Sequence, residues 1–259
     1  MPIPKTYRAE GIVLKNIPFG EADLLVTLYT RDAGKVRAIA KSARRSSSKL
    51  VGHFEPLTAT RLSLARGRNL DVITQVEVSD NFALLKSDLP TLAKGLYVAE
   101  LVDGFGPEST ANSSMYDLAI ETLRTVSQNP TWDLVLRYFE LHLLRVSGFM
   151  PELFQCVECR TPLAPDSHRF SPDAGGTLCL ACTPPGVQVR PLSLRALKVL
   201  RLLHHSRVAE IPYLQINEAL GQELKSLLSS AIDYWLDKEI RSNSFIDHLE
   251  HWPQAEVPS

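Results

Sequence analysis

Cys156-Val157-Glu158-Cys159 and Cys179-Leu180-Ala181-Cys182 are two CxxC pairs separated by 19 residues, and together they hold every cysteine in the chain. Four soft thiolates are what zinc takes in a tetrahedral site, at Zn–S distances of about 2.3 Å. Each CxxC turn sets two thiolates on one edge of that tetrahedron, and the spacer is long enough to go out and return as a hairpin. Arg169-Phe170-Ser171-Pro172 leads into the turn Asp173-Ala174-Gly175-Gly176, just ahead of the second pair. Residues 151–191 are rich in Pro and Gly and poor in apolar side chains, so the metal is expected to fold them. A shell filled by Cys156, Cys159, Cys179 and Cys182 leaves no place for water. One structural zinc per chain follows from this.

Other uses of the cysteines fit less well. Two disulfides need an oxidising compartment, and a redox CxxC follows a strand in a βαβ unit and does not come in twos. Zinc deaminases pair PCxxC with HxE. Here Gln155 and Leu178 precede the pairs, and His53-Phe54-Glu55 and His248-Leu249-Glu250 lie outside the segment.

On either side of the cysteines the periodicity changes. Residues 7–16, 24–30, 35–41, 57–64 and 70–78 read as five short strands punctuated by Gly, Asn and Pro, with no helical stretch between them long enough for a crossover. Five strands in about 75 residues suit a Greek-key barrel of the OB type. Residues 42–56 are left as a loop or a short connecting helix. From Phe82 the apolar period becomes 3.6, with helices expected over 92–102, from Asn112 or Ser113 to 128, over 132–146 with Thr131 as cap, over 193–204 and over 222–238. The third, apolar on nearly every side, belongs at the centre of a bundle.

The expected architecture is α+β and multidomain. An OB-type barrel occupies 1–80, a helical domain 81–150 and 192–245, the cysteine insertion 151–191 and a tail 246–259, with the barrel a separable module.

The chain carries 28 basic and 29 acidic residues, a net charge of −1. That average hides an asymmetry. Residues 31–68 hold 10 Lys/Arg and only 2 Asp/Glu, whereas residues 81–259 are acidic overall. Lys35, Arg37 and Lys41 alternate on one strand, so they share a face, with Ile39 between them. Val36, Ala38 and Ala40 point the other way, into a narrow barrel. Arg44, Arg45 and Lys49 continue the charge into the next loop, Arg61 lies on the fourth strand, and Arg66 and Arg68 lie in the turn before the fifth. In OB barrels these are the places that line a single-strand groove, so all nine cations are candidate DNA contacts. Phe19, Tyr29 and Phe54 are the aromatic candidates for base stacking, although Tyr29 and Phe54 suit a core better.

Enzymatic signatures are missing. Neither G-x-x-x-x-G-K-[ST] nor GxSxG occurs, Gly104-Phe105-Gly106 lacks the rest of a phosphate-binding pattern, and no catalytic set is assigned. There is no run of 18 apolar residues for a membrane span, and Met1-Pro2-Ile3-Pro4-Lys5 is unlike a secretory leader. A cytoplasmic, nucleoid-associated protein is expected, with no membrane partner.

The order of these parts resembles the RecO family of bacterial recombination mediators over nearly the whole chain. The matching blocks are Tyr7–Leu14, Gly20–Leu25, Gly34–Arg44, and the apolar helix running into Gly148-Phe149-Met150-Pro151 ahead of the first CxxC. The resemblance implies a non-enzymatic DNA repair protein that binds single- and double-stranded DNA and anneals complementary strands. It would act with RecR to help RecA replace single-strand-binding protein. Family members differ in whether they keep the cysteines, and this chain keeps four. The family's DNA-contacting face carries over at the level of motif onto Lys35, Arg37, Lys41, Arg44 and Arg45. The competing reading is a zinc-ribbon scaffold for protein contacts with no direct role on DNA.

Overall fold

A computed structural model describes residues 5–45, 48, 50, 52–129, 133–182, 186–236, 240, 242 and 246 of the 259. Strands β1 (Thr6–Phe19), β2 (Asp23–Thr30), β3 (Gly34–Ala40), β4 (Ala59–Ala65) and β5 (Asp71–Asp80) close into a barrel in the order β1-β2-β3-β5-β4. All pairings are antiparallel except the closing one, where β3 and β5 run parallel through Ala38↔Asp71 and Ile39↔Val72. β1 is long because it serves two neighbours. Thr6–Ile12 pairs with β4 and Gly11–Phe19 with β2, and the register slips by one residue between Val13 and Lys15. Such a bulge bends a strand and sharpens its twist, which lets one strand turn a barrel corner.

Alternation along β3 is as the sequence predicts: Val36, Ala38 and Ala40 are buried and Arg37 is exposed. The small alanines leave room for Phe54, delivered from the β3–β4 connection into the barrel core beside Val13, Val26, Leu28, Leu62, Leu64 and Ile73. Phe54 and Tyr29 are thus core residues, 1% and 0% exposed, and neither can stack on a base. Residues 42–45 and 52–57 of this connection form turns rather than a helix.

The helices are α1 (Leu89–Phe105), α2 (Ser113–Gln128), α3 (Leu134–Val146), α4 (Leu194–His205) and α5 (Glu218–Leu236). Side chains of Asp88, Asn112 and Ser193 accept the N–H groups of Thr91, Met115 and Ala196, satisfying donors that a helix N-terminus otherwise leaves open. α3 is the central helix, buried at every position from Leu134 to Leu144. Its charged residues therefore pair inside. Arg137 and Tyr97 of α1 both donate to Glu140 Oε1, and burial holds the Glu140 carboxyl above the ordinary range against the pull of Arg137. Thr131 and Trp132, the expected start of this helix, lie outside the described residues, as do most of 237–259 and the His248–Glu250 motif.

The insertion forms a three-stranded sheet, β7-β6-β8, from β6 (His168–Ser171), β7 (Gly176–Leu178) and β8 (Arg190–Leu192). The β6–β7 turn falls where Asp173-Ala174-Gly175-Gly176 predicts it, with both glycines at positive φ. Gly176 is also steric: a Cβ there would sit 2.4 Å from the Glu152 nitrogen.

Barrel and helices are not independently packed. Ile12, Leu14, Tyr29, Leu57 and Ala59 of the barrel side join Tyr97, Leu101 and Val102 of α1 in one core, together with Phe82 and Leu85 of the connection. A barrel cut free at residue 80 would turn these side chains to water, so the expected separability has a cost in exposed apolar surface. Among the described residues, no helix is long and apolar enough to cross a membrane.

Candidate metal centre and nucleic-acid interface

The two CxxC turns flank the β6–β7 hairpin, whose return brings them together. All four cysteines are free, and their sulfurs lie within 4.8 Å of one another, with Cys159 Sγ and Cys179 Sγ 3.9 Å apart. The edge of a tetrahedron with 2.3 Å metal–sulfur bonds is about 3.8 Å, so the set fits one four-thiolate ion. In the first turn, Cys156 accepts the Arg160 N–H at its carbonyl, and Arg160 takes a left-handed conformation (φ 60°) that brings the chain round.

The thiols are tuned unequally. Burial pushes Cys156 up, but N–H groups of Cys179, Cys159 and Glu158 outweigh it and favour the thiolate. The Thr161 side chain and N–H bring Cys159 down to about 6, whereas Cys182, facing Cys179 and Cys159, is pushed up to about 12. Four crowded sulfurs cannot all carry negative charge without a cation among them.

The nine predicted DNA-contacting cations separate into groups. Arg37, Lys41, Arg44 and Arg45 are exposed and make no ion pair among the described residues. The turn after β3 is tied to the β1–β2 turn: the Ser42 N–H donates to Asp23 Oδ1 (2.7 Å) and the Arg44 N–H to the Ala22 carbonyl (2.9 Å). Arg66 and Arg68 are exposed in the β4–β5 turn, which runs into Asp71 beside Ala38 of β3. Arg66 stacks on the Tyr7 ring, 4.6 Å from its centroid. Two connections thus deliver cations: the turn after β3, with Lys41, Arg44 and Arg45 at one edge of the barrel, and the β4–β5 turn, with Arg66 and Arg68 at the start of β5, which runs parallel to β3.

Lys35 is not part of that edge. Its Nζ donates to the Asp103 carbonyl and lies 3.5 Å from Asp103 Oδ1, and its side chain is 14% exposed. Strand alternation gave its side of the sheet correctly, but α1 covers that end of β3. Arg61 is exposed on a different face, with Glu10 and Glu77 as its cross-strand partners and Glu77 4.0 Å away. Lys49 lies outside the described residues. Lys15, which sequence reading passed over, reaches Asp103 at 2.6 Å. Of the aromatic candidates, Phe19 alone is open, at 42% exposure.

Known proteins resolve the family. The model for the recombination protein O N-terminal domain matches residues 3–82, and that for its C-terminal domain matches residues 86–244. A DNA repair protein RecO from Roseiflexus sp. (strain RS-1) is 37% identical over 255 residues, covering 98% of this chain and 90% of its own. RecO from Dehalococcoides mccartyi (strain CBDB1) is 34% identical over 249 residues, covering 96% and 98%. RecO from Symbiobacterium thermophilum is 34% identical over 247 residues, covering 94% and 97%. With an OB-like barrel, a helical domain and a clustered four-cysteine site matched along almost its entire length, the chain belongs to the RecO family of DNA repair proteins.

Proposed function

We propose that this protein is a recombination mediator that binds single- and double-stranded DNA without sequence preference and anneals complementary strands. In this reading it works with RecR to load RecA onto DNA covered by single-strand-binding protein. The observation that carries the reading is the group of exposed cations Arg37, Lys41, Arg44 and Arg45, which make no ion pair among the described residues, with Arg66 and Arg68 exposed in the β4–β5 turn. Phosphate contacts of this kind supply affinity without reading sequence. A cationic surface screens the repulsion between two strands, and base edges left free can find their complements. No acid, base or nucleophile is needed, so the protein acts without catalysing a covalent step. The acidic helical body suits contacts with proteins better than with DNA.

Zinc is the ion proposed for the four sulfurs, since an all-thiolate tetrahedron selects it over harder cations. Cys156, Cys159, Cys179 and Cys182 would hold it, fixing the hairpin against α4. A cytoplasmic site beside the nucleoid follows from the role.

Salt-dependent binding tests the reading. Log K for single-stranded DNA falls with log salt by about 0.7 per phosphate contact. Changing Arg37, Lys41 and Arg44 together to Ala is expected to flatten the slope by about 2. An unaltered slope, or no binding at low salt together with a stable protein complex, would instead favour the scaffold role.

A further inference from the structure

The four sulfurs of the cluster are not equally guarded. Cys156 is buried, and its Sγ accepts the Cys179 N–H (3.4 Å). Cys179 and Cys182 are half-buried, whereas Cys159 is exposed, in a run from Glu158 to Thr161 that is exposed throughout. Cys159 Sγ has Cys179 Sγ, from the other CxxC pair, 3.9 Å away. A site serving only to hold the hairpin gains nothing from one ligand left in the solvent, and Cys156 shows that this fold buries a ligand completely.

The surroundings of the open sulfur are cationic. Arg160 follows Cys159 directly, is exposed and makes no ion pair among the described residues. Arg169 Nη1 donates to the Leu180 carbonyl (3.2 Å), inside the second CxxC turn. Exposure, neighbouring positive charge and a second sulfur close by are the setting in which cysteine is oxidised reversibly.

We infer that Cys159 is a modification site for hydrogen peroxide, and that Cys179 closes a disulfide onto it, opening the metal shell. This rests on the four-thiolate reading proposed above and gives that site a second use. Cys159 Sγ attacks one peroxide oxygen, the O–O bond breaks, and a sulfenic acid forms as hydroxide leaves. The Cys179 thiolate then attacks the Cys159 sulfur, and the S–S bond forms as a second hydroxide leaves. Each hydroxide takes up a proton. The two sulfurs give up two electrons between them, and one peroxide is reduced to two waters. Cys156 and Cys182 remain, two ligands where a closed structural shell needs four. A dithiol reductant reverses the disulfide by exchange, so the shell can refill.

The test uses the full chain, with its zinc content measured first. A chain without zinc overturns the four-thiolate reading, and the disulfide map then judges the cysteine chemistry by itself. Excess hydrogen peroxide is expected to release the zinc to a chelating dye. Peptide mass mapping should give Cys159–Cys179 as the main disulfide, and dithiothreitol with added zinc should restore the starting state. A short pulse of iodoacetamide on the untreated chain should label Cys159 ahead of the other cysteines. Cys159→His keeps a nitrogen ligand for zinc but no oxidisable sulfur, so its release under the same peroxide should be about tenfold slower. If that variant takes up no zinc, the labelling order and disulfide map of the unaltered chain decide. Zinc retained under peroxide, first labelling at another cysteine, disulfides only within each CxxC pair, or equal release from both chains would overturn the inference.

Discussion

Lys35 reaches across from β3 to α1, where its ammonium donates to the backbone carbonyl of Asp103 and pairs with the same residue's carboxylate. Its backbone is held as well: the Lys35 N–H donates to the Pro107 carbonyl (2.9 Å), and its own carbonyl accepts the Ser109 N–H (3.2 Å). A residue pinned at both backbone and side chain joins two parts of a protein and is poorly placed to find phosphate. Lys35→Ala is therefore expected to lower stability by about 1–3 kcal/mol with no change in the salt dependence of DNA binding. Thermal melting and a salt titration read the two effects separately. A slope reduced by about 0.7 would return Lys35 to the proposed DNA-contacting set.

Gly34, one residue earlier, has a φ of +66°, and a Cβ there would lie 2.1 Å from the Thr110 carbonyl oxygen and 2.7 Å from that of Pro107. Neither oxygen can move without breaking the contact between β3 and the α1–α2 connection. Gly34→Ala should cost about 3 kcal/mol. Gly20→Ala is the control: its φ is +58°, but its Cβ would meet nothing within 4 Å, so about 1 kcal/mol of backbone strain is the whole effect. Denaturant midpoints that matched for the two variants would show that close approach at Gly34 is unimportant.

Elemental analysis of the purified chain should give one zinc per molecule. Chelation, or Cys156→Ser at the buried corner of the cluster, should unfold the hairpin first. The expected signature is fast hydrogen exchange at Val157 and Thr177, whose N–H groups bond to Thr177 and Glu152 across the segment. Exchange in β2 and β3 should hardly change. Protection at Val157 that survived metal removal would show that the segment folds without the ion.

His142 sets a pH dependence. Its ring stacks on Tyr138, with centroids 4.0 Å apart, and its Nε2 lies 2.9 Å from the Leu203 carbonyl, so that nitrogen donates and the buried Nδ1 is left to accept. Burial brings the imidazole down to about 4, with the charges of Arg145 and His204 nearby adding to the effect. A depressed pKa means the unfolded chain binds the proton more readily, so stability is constant above about pH 6.5 and falls between about 6.5 and 4. The loss attributable to His142 is about 2 kcal/mol after allowance for screening. His142→Gln should flatten most of that fall, leaving a smaller part from His204, whose burial also lowers its pKa. Urea titrations at pH 7 and pH 4.5 measure the difference. A wild-type curve flat over this range would show that His142 is solvated.

Much of this was legible in residue order. Alternation in Val36, Arg37, Ala38 places β3 correctly, the helix start expected at Asn112 or Ser113 falls at Asn112, and the CxxC spacing by itself announces the cluster. What stayed hidden depends on contacts between distant segments. Period-2 spacing says which side of a strand Lys35 occupies, but not that Asp103, 68 positions on, covers that end of the side. Arg61 looks like any other cation until Glu10 and Glu77 prove to be its neighbours. β1 reads as a ten-residue strand because Asn16 and Pro18 look like breakers. The bulge after Val13 carries it on to Phe19, with Asn16 Nδ2 donating to the Phe54 carbonyl. The start of α1 at Leu89 was missed although Asp88 and Pro90 form a recognisable cap and first turn.

The join at residues 82–85 also says how force travels through this molecule. Phe82 and Leu85 are sealed into the same interior that Tyr29 enters from the strands and Tyr97 from the helices. Close-packed side chains there resist relative motion of the two parts. A polymer tugging on the β-module would drag the helical body with it as a rigid elbow, so whatever grips the helices would feel the orientation of whatever lies on the strands.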